Sequence, residues 1–193
     1  MTFKRFLALL TAAVLAVSLA ACGESQQGSG SAAVSSDTTE LVIYAPTETM
    51  AIMSDLVYRY SSIAPKVTLK IMYDDGVIQT AKVEGGYPCD IFVSDEDAFM
   101  DWLDIEADEQ ANPNRNDKIV SETRAEFANG PGNEAYLPEG VEVPEGEIYT
   151  TVYSVAVCRA TGKSYEASRF VEFMLSEDVQ DVYDNYGFSR LEP

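Results

Sequence analysis

Three short apolar runs, each followed by a segment of helical period, constrain this chain more than any other feature. Leu41-Val42-Ile43-Tyr44-Ala45 is an unbroken apolar run of strand length, of the kind buried inside a sheet. After the turn from Pro46 to Thr49, Met53, Leu56, Val57 and Tyr60 recur at i, i+3, i+4 and i+7. That is one stripe of an α-helix, and Pro65 ends it. Val67, Leu69, Ile71 and Tyr73 then alternate as a second strand. Asp74-Asp75-Gly76 turns the chain into a short helix that stops at Gly85-Gly86. Asp90 to Ser94 is a third strand, nearly all apolar, as in parallel sheets covered on both faces. Ser94 with Asp97 three residues on has the spacing of a capping box, opening a helix through Trp102. A β-α-β-α-β-α order calls for right-handed crossovers, and hence parallel strands with helices on both faces.

The pattern breaks after Leu103. Asp95 to Glu147 carries 16 of the chain's 32 acidic residues and three basic ones, with Pro113, Pro131, Pro138 and Pro144 scattered through it. Such a composition cannot build a second core, so 104–147 reads as an irregular acidic insert. It admits one short helix, over Ser121 to Ala128. Order returns at Ile148, and the stretch to Arg159 is β-branched and aromatic enough to predict a strand. Two helices follow. Ala167, Phe170, Val171 and Met174 share a face of the first; Val179, Val182, Tyr183 and Tyr186 share a face of the second. Gly187 then stands where a left-handed C-cap belongs, with Phe188 placed to pack back on the last turn.

The N-terminus carries a different kind of signal. Lys4 and Arg5 precede an apolar run from Phe6 to Ala21, too short and wrongly flanked for a spanning helix. The run ends in Leu19-Ala20-Ala21-Cys22, which resembles a bacterial lipobox. That resemblance implies a signal peptide over 1–21, lipid transfer to Cys22, and an extracytoplasmic chain anchored to the cell membrane. Residues 22–39 are Gly/Ser/Ala-rich without periodicity and read as a flexible tether. The domain that follows is 40–193. With 13 Lys+Arg against 32 Asp+Glu, the formal charge is −19. A field of that sign repels phosphate backbones, which excludes nucleic acid as a partner. The chain has no histidine, which removes imidazole bases and most zinc chemistry. No nucleophile elbow, phosphate loop or Cys-x-x-Cys occurs, so the chain reads as a binding protein, not an enzyme, with no cofactor.

The ordered segments resemble the molybdate-binding proteins of ABC transporters, within the class II periplasmic binding-protein fold. The N-terminal resemblance runs from Leu41 to Leu103 and includes VIYAPTETM, EGGYPCDIFVS and DEDAFMDWL. The C-terminal one runs from Tyr153 to Phe188 and includes YSVAV and ASRFVEFMLSEDVQDVYDNYGF. It implies an α/β fold: a single three-layer lobe with a mostly parallel sheet and one antiparallel strand, the family's second lobe being reduced to the acidic insert. It also implies a small inorganic ion as ligand and an ABC permease as partner. The ligand residues by this resemblance are Thr47, Glu48, Thr49, Asp75 and Gly76. In the same fold Cys89 would start one strand and Cys158 end its antiparallel neighbour, a candidate disulfide pair.

The local electrostatics oppose the family's ligand. The family presents small hydroxyl residues at the helix N-termini after strands one and two, where backbone N–H groups and the helix dipole favour an anion. Here Glu48 and Asp75 take the places of those serines. Like charges ~4 Å apart cost about 1–4 kcal/mol depending on the effective dielectric, enough to weaken oxyanion capture markedly. The alternative is a surface lipoprotein that binds a protein partner or a hard cation, the cation held by Glu48, Asp74, Asp75 and Asp95.

Overall fold

The computed structural model describes residues 38–129 and 151–190. The expected signal peptide, Cys22 and nearly all of the expected tether lie outside them. Among the described residues no helix is long and apolar enough to cross a membrane.

The first strand, β1 (Thr39–Ala45), is buried on both faces. Leu41, Ile43 and Ala45 enter one core and Tyr44 the other, which is why its sequence shows no polar alternation. α1 (Met50–Ile63) turns Ile52, Met53, Leu56 and Tyr60 inward. It stops at Ala64, whose φ of −128° and ψ of 62° are no longer helical, because a residue before proline is pushed out of the α region. β2 (Val67–Tyr73) then lies parallel to β1, from Thr39 opposite Val67 to Ala45 opposite Tyr73. α2 (Gly76–Glu84) leads to β3 (Ile91–Ser94), all four residues of which are buried, parallel to β1 on its other side.

Helices cover both faces, giving the expected three layers. α1, α4 (Ser164–Met174) and α5 (Gln180–Tyr186) pack on the larger core, where Tyr60 meets the rings of Phe170 and Phe173 at 5.0 and 5.1 Å. α2 and α3 (Asp97–Leu103) supply Val83, Met100 and Leu103 to the smaller core, with Tyr44, Phe92 and Ile119. β5 (Val152–Val157) returns antiparallel to β3, from Ile91 opposite Val157 to Ser94 opposite Ser154.

The segment expected as a short helix over Ser121 to Ala128 is a strand. Only Ser121–Thr123 makes a 3-10 turn, and β4 (Ala125–Asn129) pairs antiparallel with β5. Phe127 decides this. It is fully buried, stacked on Tyr153 at 5.2 Å and edge-on to Tyr183 at 5.9 Å, while its neighbours offer no second large apolar residue to make a helical stripe. Gly187 ends α5 in the left-handed region at φ 68°, as expected. Phe188 then opens a further strand, β6 (Phe188–Arg190), on the free edge of β4, and packs against Phe127 at 6.0 Å. Among the described residues the sheet therefore has six strands in the order β2-β1-β3-β5-β4-β6, with β5 and β6 running against the other four. The insert is correspondingly less irregular than its composition predicts.

The expected capping box does not form. The Ser94 hydroxyl donates to Glu96 O at 2.9 Å and accepts from Glu96 N–H at 3.1 Å, while Asp97 accepts from the Ser154 hydroxyl at 2.6 Å and pairs with Arg124. The run GYPCD contains the residue that joins the lobe. Asp90, 5% exposed, accepts from Val42 N–H at 2.7 Å, the Thr161 hydroxyl at 2.5 Å and the Lys163 ammonium at 3.0 Å. One carboxylate thus links β1, the start of β3 and the entry to α4.

Candidate functional site

The residues singled out in the sequence gather at the C-terminal ends of β1, β2 and β3, where open α/β sheets bind ligands. Because Ala45 lies opposite Tyr73, the loops that follow β1 and β2 are neighbours. Thr47–Thr49 forms a 3-10 turn ahead of α1. Thr47 is exposed and Glu48 half-buried, but Thr49 is fully buried, and its hydroxyl donates to Pro46 O at 2.7 Å. That hydroxyl's proton is committed to the protein's own backbone.

At the second loop a carboxylate stands where an anion would. Asp75 is the N-cap of α2 and accepts from Val77 N–H at 2.8 Å. A free N–H group at a helix start would serve a bound oxyanion; this one has an internal acceptor of the same charge. Asp74 accepts from Asp75 N–H at 3.0 Å and from Lys82 at 2.8 Å. Lys82 and that N–H hold the Asp74 carboxyl below its usual range. The third loop brings Asp95 to the same place. Its Oδ1 lies 3.4 Å from where a Cβ on Gly76 would stand, and that Cβ would meet the Phe99 ring at 2.8 Å. Gly76 is therefore required by close approach. Burial pushes the Asp95 carboxyl above the usual carboxylate range, and the charges of Glu48, Glu96 and Asp75 push the same way.

Two of the four carboxylates considered for a cation, Glu48, Asp74, Asp75 and Asp95, already have partners. Asp74 is drawn to Lys82 and Asp75 to its own helix, and among the described residues no three His, Cys, Asp or Glu side chains are grouped to hold a metal ion. Gln79 looks in the sequence like an ordinary polar helix residue. It is 1% exposed, and its amide nitrogen bridges Ala45 O at 2.8 Å and Met72 O at 3.0 Å, fixing the two strand ends relative to each other. Its Oε1 is buried without a hydrogen-bond partner. Cys89 and Cys158 are both buried and both free thiols; the expected bond between them is not present in this structure.

A trough of about 1220 Å³ opens at the other half of the sheet, between the start of β4 and α4. Its two guanidiniums are already engaged, Arg124 with Asp97 and Asp101, and Arg190 with Gln180 and the Leu175 carbonyl. Glu122, Glu126 and Glu172 line the same space, so it offers an anion no unpaired positive charge.

Comparison with known proteins agrees with this architecture. Residues 119–189 match the family described as bacterial extracellular solute-binding protein. No curated protein sequence matches the chain. Among solved structures, the substrate-binding domain of a putative molybdenum ABC transporter from Clostridium difficile superposes with a TM-score of 0.61 at 17% identity, over 80% of this chain and 100% of that one. The periplasmic molybdate-binding protein of Azotobacter vinelandii gives 0.55 at 10% identity, over 79% and 99%. The sulfate-binding protein SubI of Mycobacterium tuberculosis H37Rv gives 0.56 at 11%, over 80% and 88%. The chain has the fold of the solute-binding proteins of ABC importers, of the kind found in molybdate- and sulfate-binding proteins, with its segment 119–189 matching the bacterial extracellular solute-binding family.

Proposed function

We propose that this chain is the extracytoplasmic solute-binding component of an ABC importer, held at the membrane by lipid on Cys22, and that its strand-end site disfavours oxyanions. The capping of α2 by Asp75 carries the second half of the reading. An oxyanion arriving there must displace an internal carboxylate from Val77 N–H and then lie beside Glu48 and Asp95. The fold and the matched segment support the first half; the Leu19-Ala20-Ala21-Cys22 sequence supports the anchor.

The test is calorimetric titration of the chain carrying Cys22→Ser with molybdate, tungstate and sulfate. Weak or undetectable binding is expected. Glu48→Ser with Asp75→Ser should raise oxyanion affinity, most at low salt where screening is least. Serine is itself a good N-cap, so α2 should survive the change. Tight molybdate binding by the unaltered site would overturn the reading.

A second reading, docking of a protein partner at this end of the lobe, draws on the exposed apolar side chains there. Met50, Met72, Val77 and Ile78 are 46, 41, 61 and 48% exposed and are interspersed with carboxylates. Apolar surface rimmed by charge marks interaction sites more often than solvated faces. An importer permease and a separate basic partner would both suit it, and co-purification after Val77→Asp with Ile78→Asp, compared with the unaltered chain, tests the surface directly.

A further inference from the structure

The two cysteines of the domain are both buried in the smaller core. The ladder between β3 and β5 continues one step beyond the strands, with Cys158 N–H donating to Asp90 O at 2.9 Å. In regular strands Cys89, one residue before Asp90, would point to the opposite face from Cys158. A bend at Asp90 removes that restriction. The Asp90 side chain goes to Val42, Thr161 and Lys163, and Cys89 turns back so that its thiol donates to Ile91 O at 3.1 Å. The neighbouring Cys89 sulfur and burial together push the Cys158 thiol well above its usual range. Both lie in one cluster with Tyr44, Val83 and Phe92, 7% and 2% exposed.

We propose that Cys89 and Cys158 are a disulfide-forming pair that covalently joins the start of β3 to the end of β5. Cys158 is hydrogen-bonded across the ladder to the residue after Cys89 and both thiols are buried in one cluster, a placement from which side-chain rotation reaches the ~2.05 Å of an S–S bond. Apart from Cys22, they are the chain's only cysteines, so the pairing has no competitor within the domain. The placement outside the cytosol, on which the proposal rests, supplies an environment where such bonds persist.

The oxidant is a disulfide-bearing thiol oxidoreductase or oxidised glutathione. The Cys89 thiolate attacks one sulfur of its disulfide, and the other sulfur departs as a thiolate. Cys158 then loses its proton and attacks the mixed disulfide at Cys89, forming the intramolecular bond and releasing the second thiol of the oxidant. Two electrons and, after protonation of the leaving thiolates, two protons pass from the pair to the oxidant. Burial sets the timing. Thiols this enclosed exchange slowly, so the bond forms while the chain folds, before β5 closes against β3, and is thereafter protected.

The chain carrying Cys22→Ser, unfolded and reduced, is refolded in a glutathione redox buffer, quenched with an alkylating reagent and analysed by mass spectrometry. The expected product is a monomer that takes up no alkyl group and yields one cross-linked peptide pair containing Cys89 and Cys158. Reduction should lower its urea midpoint. Cys89→Ser and Cys158→Ser should each leave one alkylatable thiol, and the double Cys→Ala variant guards against a serine that fails to pack. A folded monomer with two alkylatable thiols after oxidative refolding, or one bearing only mixed disulfides with glutathione, overturns the proposal. No solute, permease or membrane enters this test. Failure of the extracytoplasmic reading would show separately, as chain recovered from the cytosolic fraction of cells.

Discussion

Replacing Asp90 by asparagine tests whether one buried carboxylate organises the lobe. The change keeps shape and removes charge. In the native domain the carboxylate accepts from Val42 N–H at 2.7 Å, Thr161 at 2.5 Å and Lys163 at 3.0 Å. An amide has one acceptor oxygen, and its NH2 group would face at least one of these donors. The Lys163 side chain is 40% exposed, so water screens the ion pair and limits its own contribution to about 1 kcal/mol or less. The larger cost comes from leaving Val42 N–H or Thr161 unsatisfied, about 1–3 kcal/mol, together with the loss of charge assistance. A total of about 2–4 kcal/mol is expected, a large part of the ~5–15 kcal/mol typical of a domain. Urea unfolding followed by the fluorescence of Trp102, the chain's one tryptophan, should show a midpoint lower by about 1–2 M at unchanged slope. Lys163→Met should cost less, and the double variant less than the sum, because the two share a network. A change below about 0.5 kcal/mol for Asp90→Asn, the level of ordinary surface substitutions, would refute the reasoning. Equal costs for Asp90→Asn and Lys163→Met would show that the ion pair, not the backbone contact, carries the effect.

Two further outcomes follow from packing and charge. Phe127→Ala should destabilise by about 3–5 kcal/mol, as for a fully buried phenylalanine, measured by the same unfolding assay; a loss under about 1 kcal/mol would mean that β4 does not pack as described. Asp95→Asn should stabilise the domain at neutral pH by about 1 kcal/mol, by removing a charge that burial disfavours first and the repulsion of Glu48, Glu96 and Asp75 disfavours further. The sign follows from the raised pKa. The folded state holds the Asp95 proton to higher pH than the unfolded chain does, so this residue's unfavourable contribution appears as pH rises from the unfolded value through the folded one. The difference between Asp95→Asn and the unaltered chain should therefore vanish at low pH, and a pH-independent difference would refute the charge origin.

Much of the first βα half was legible because its signals are local. The stripe Met53-Leu56-Val57-Tyr60, the alternation from Val67 to Tyr73 and the unbroken apolar runs of β1 and β3 each report a period set by the backbone itself. Gly187 was legible for the same reason, since a left-handed C-cap favours glycine wherever the helix lies. The sequence also located the carboxylates at the strand ends, because the strand and helix boundaries around them are local signals. It left open which carboxylate would do what. Asp74 and Asp75 are adjacent and alike in sequence; only the position of Lys82 on the next turns of α2 and the direction of the chain into that helix assign one to an ion pair and the other to the cap.

β4 and β6 belong wholly to the tertiary structure. Ala125-Glu126-Phe127-Ala128 has no strand period of its own, and becomes a strand because β5 offers an unpaired edge and Tyr153, Tyr183 and Phe188 surround Phe127. The partners of Asp90 and Gln79, and the shared burial of Cys89 and Cys158, are likewise invisible locally, since each depends on residues far away in sequence. Local periodicity determined which segments regularise; the meeting of distant edges and carbonyls determined what those segments hold together.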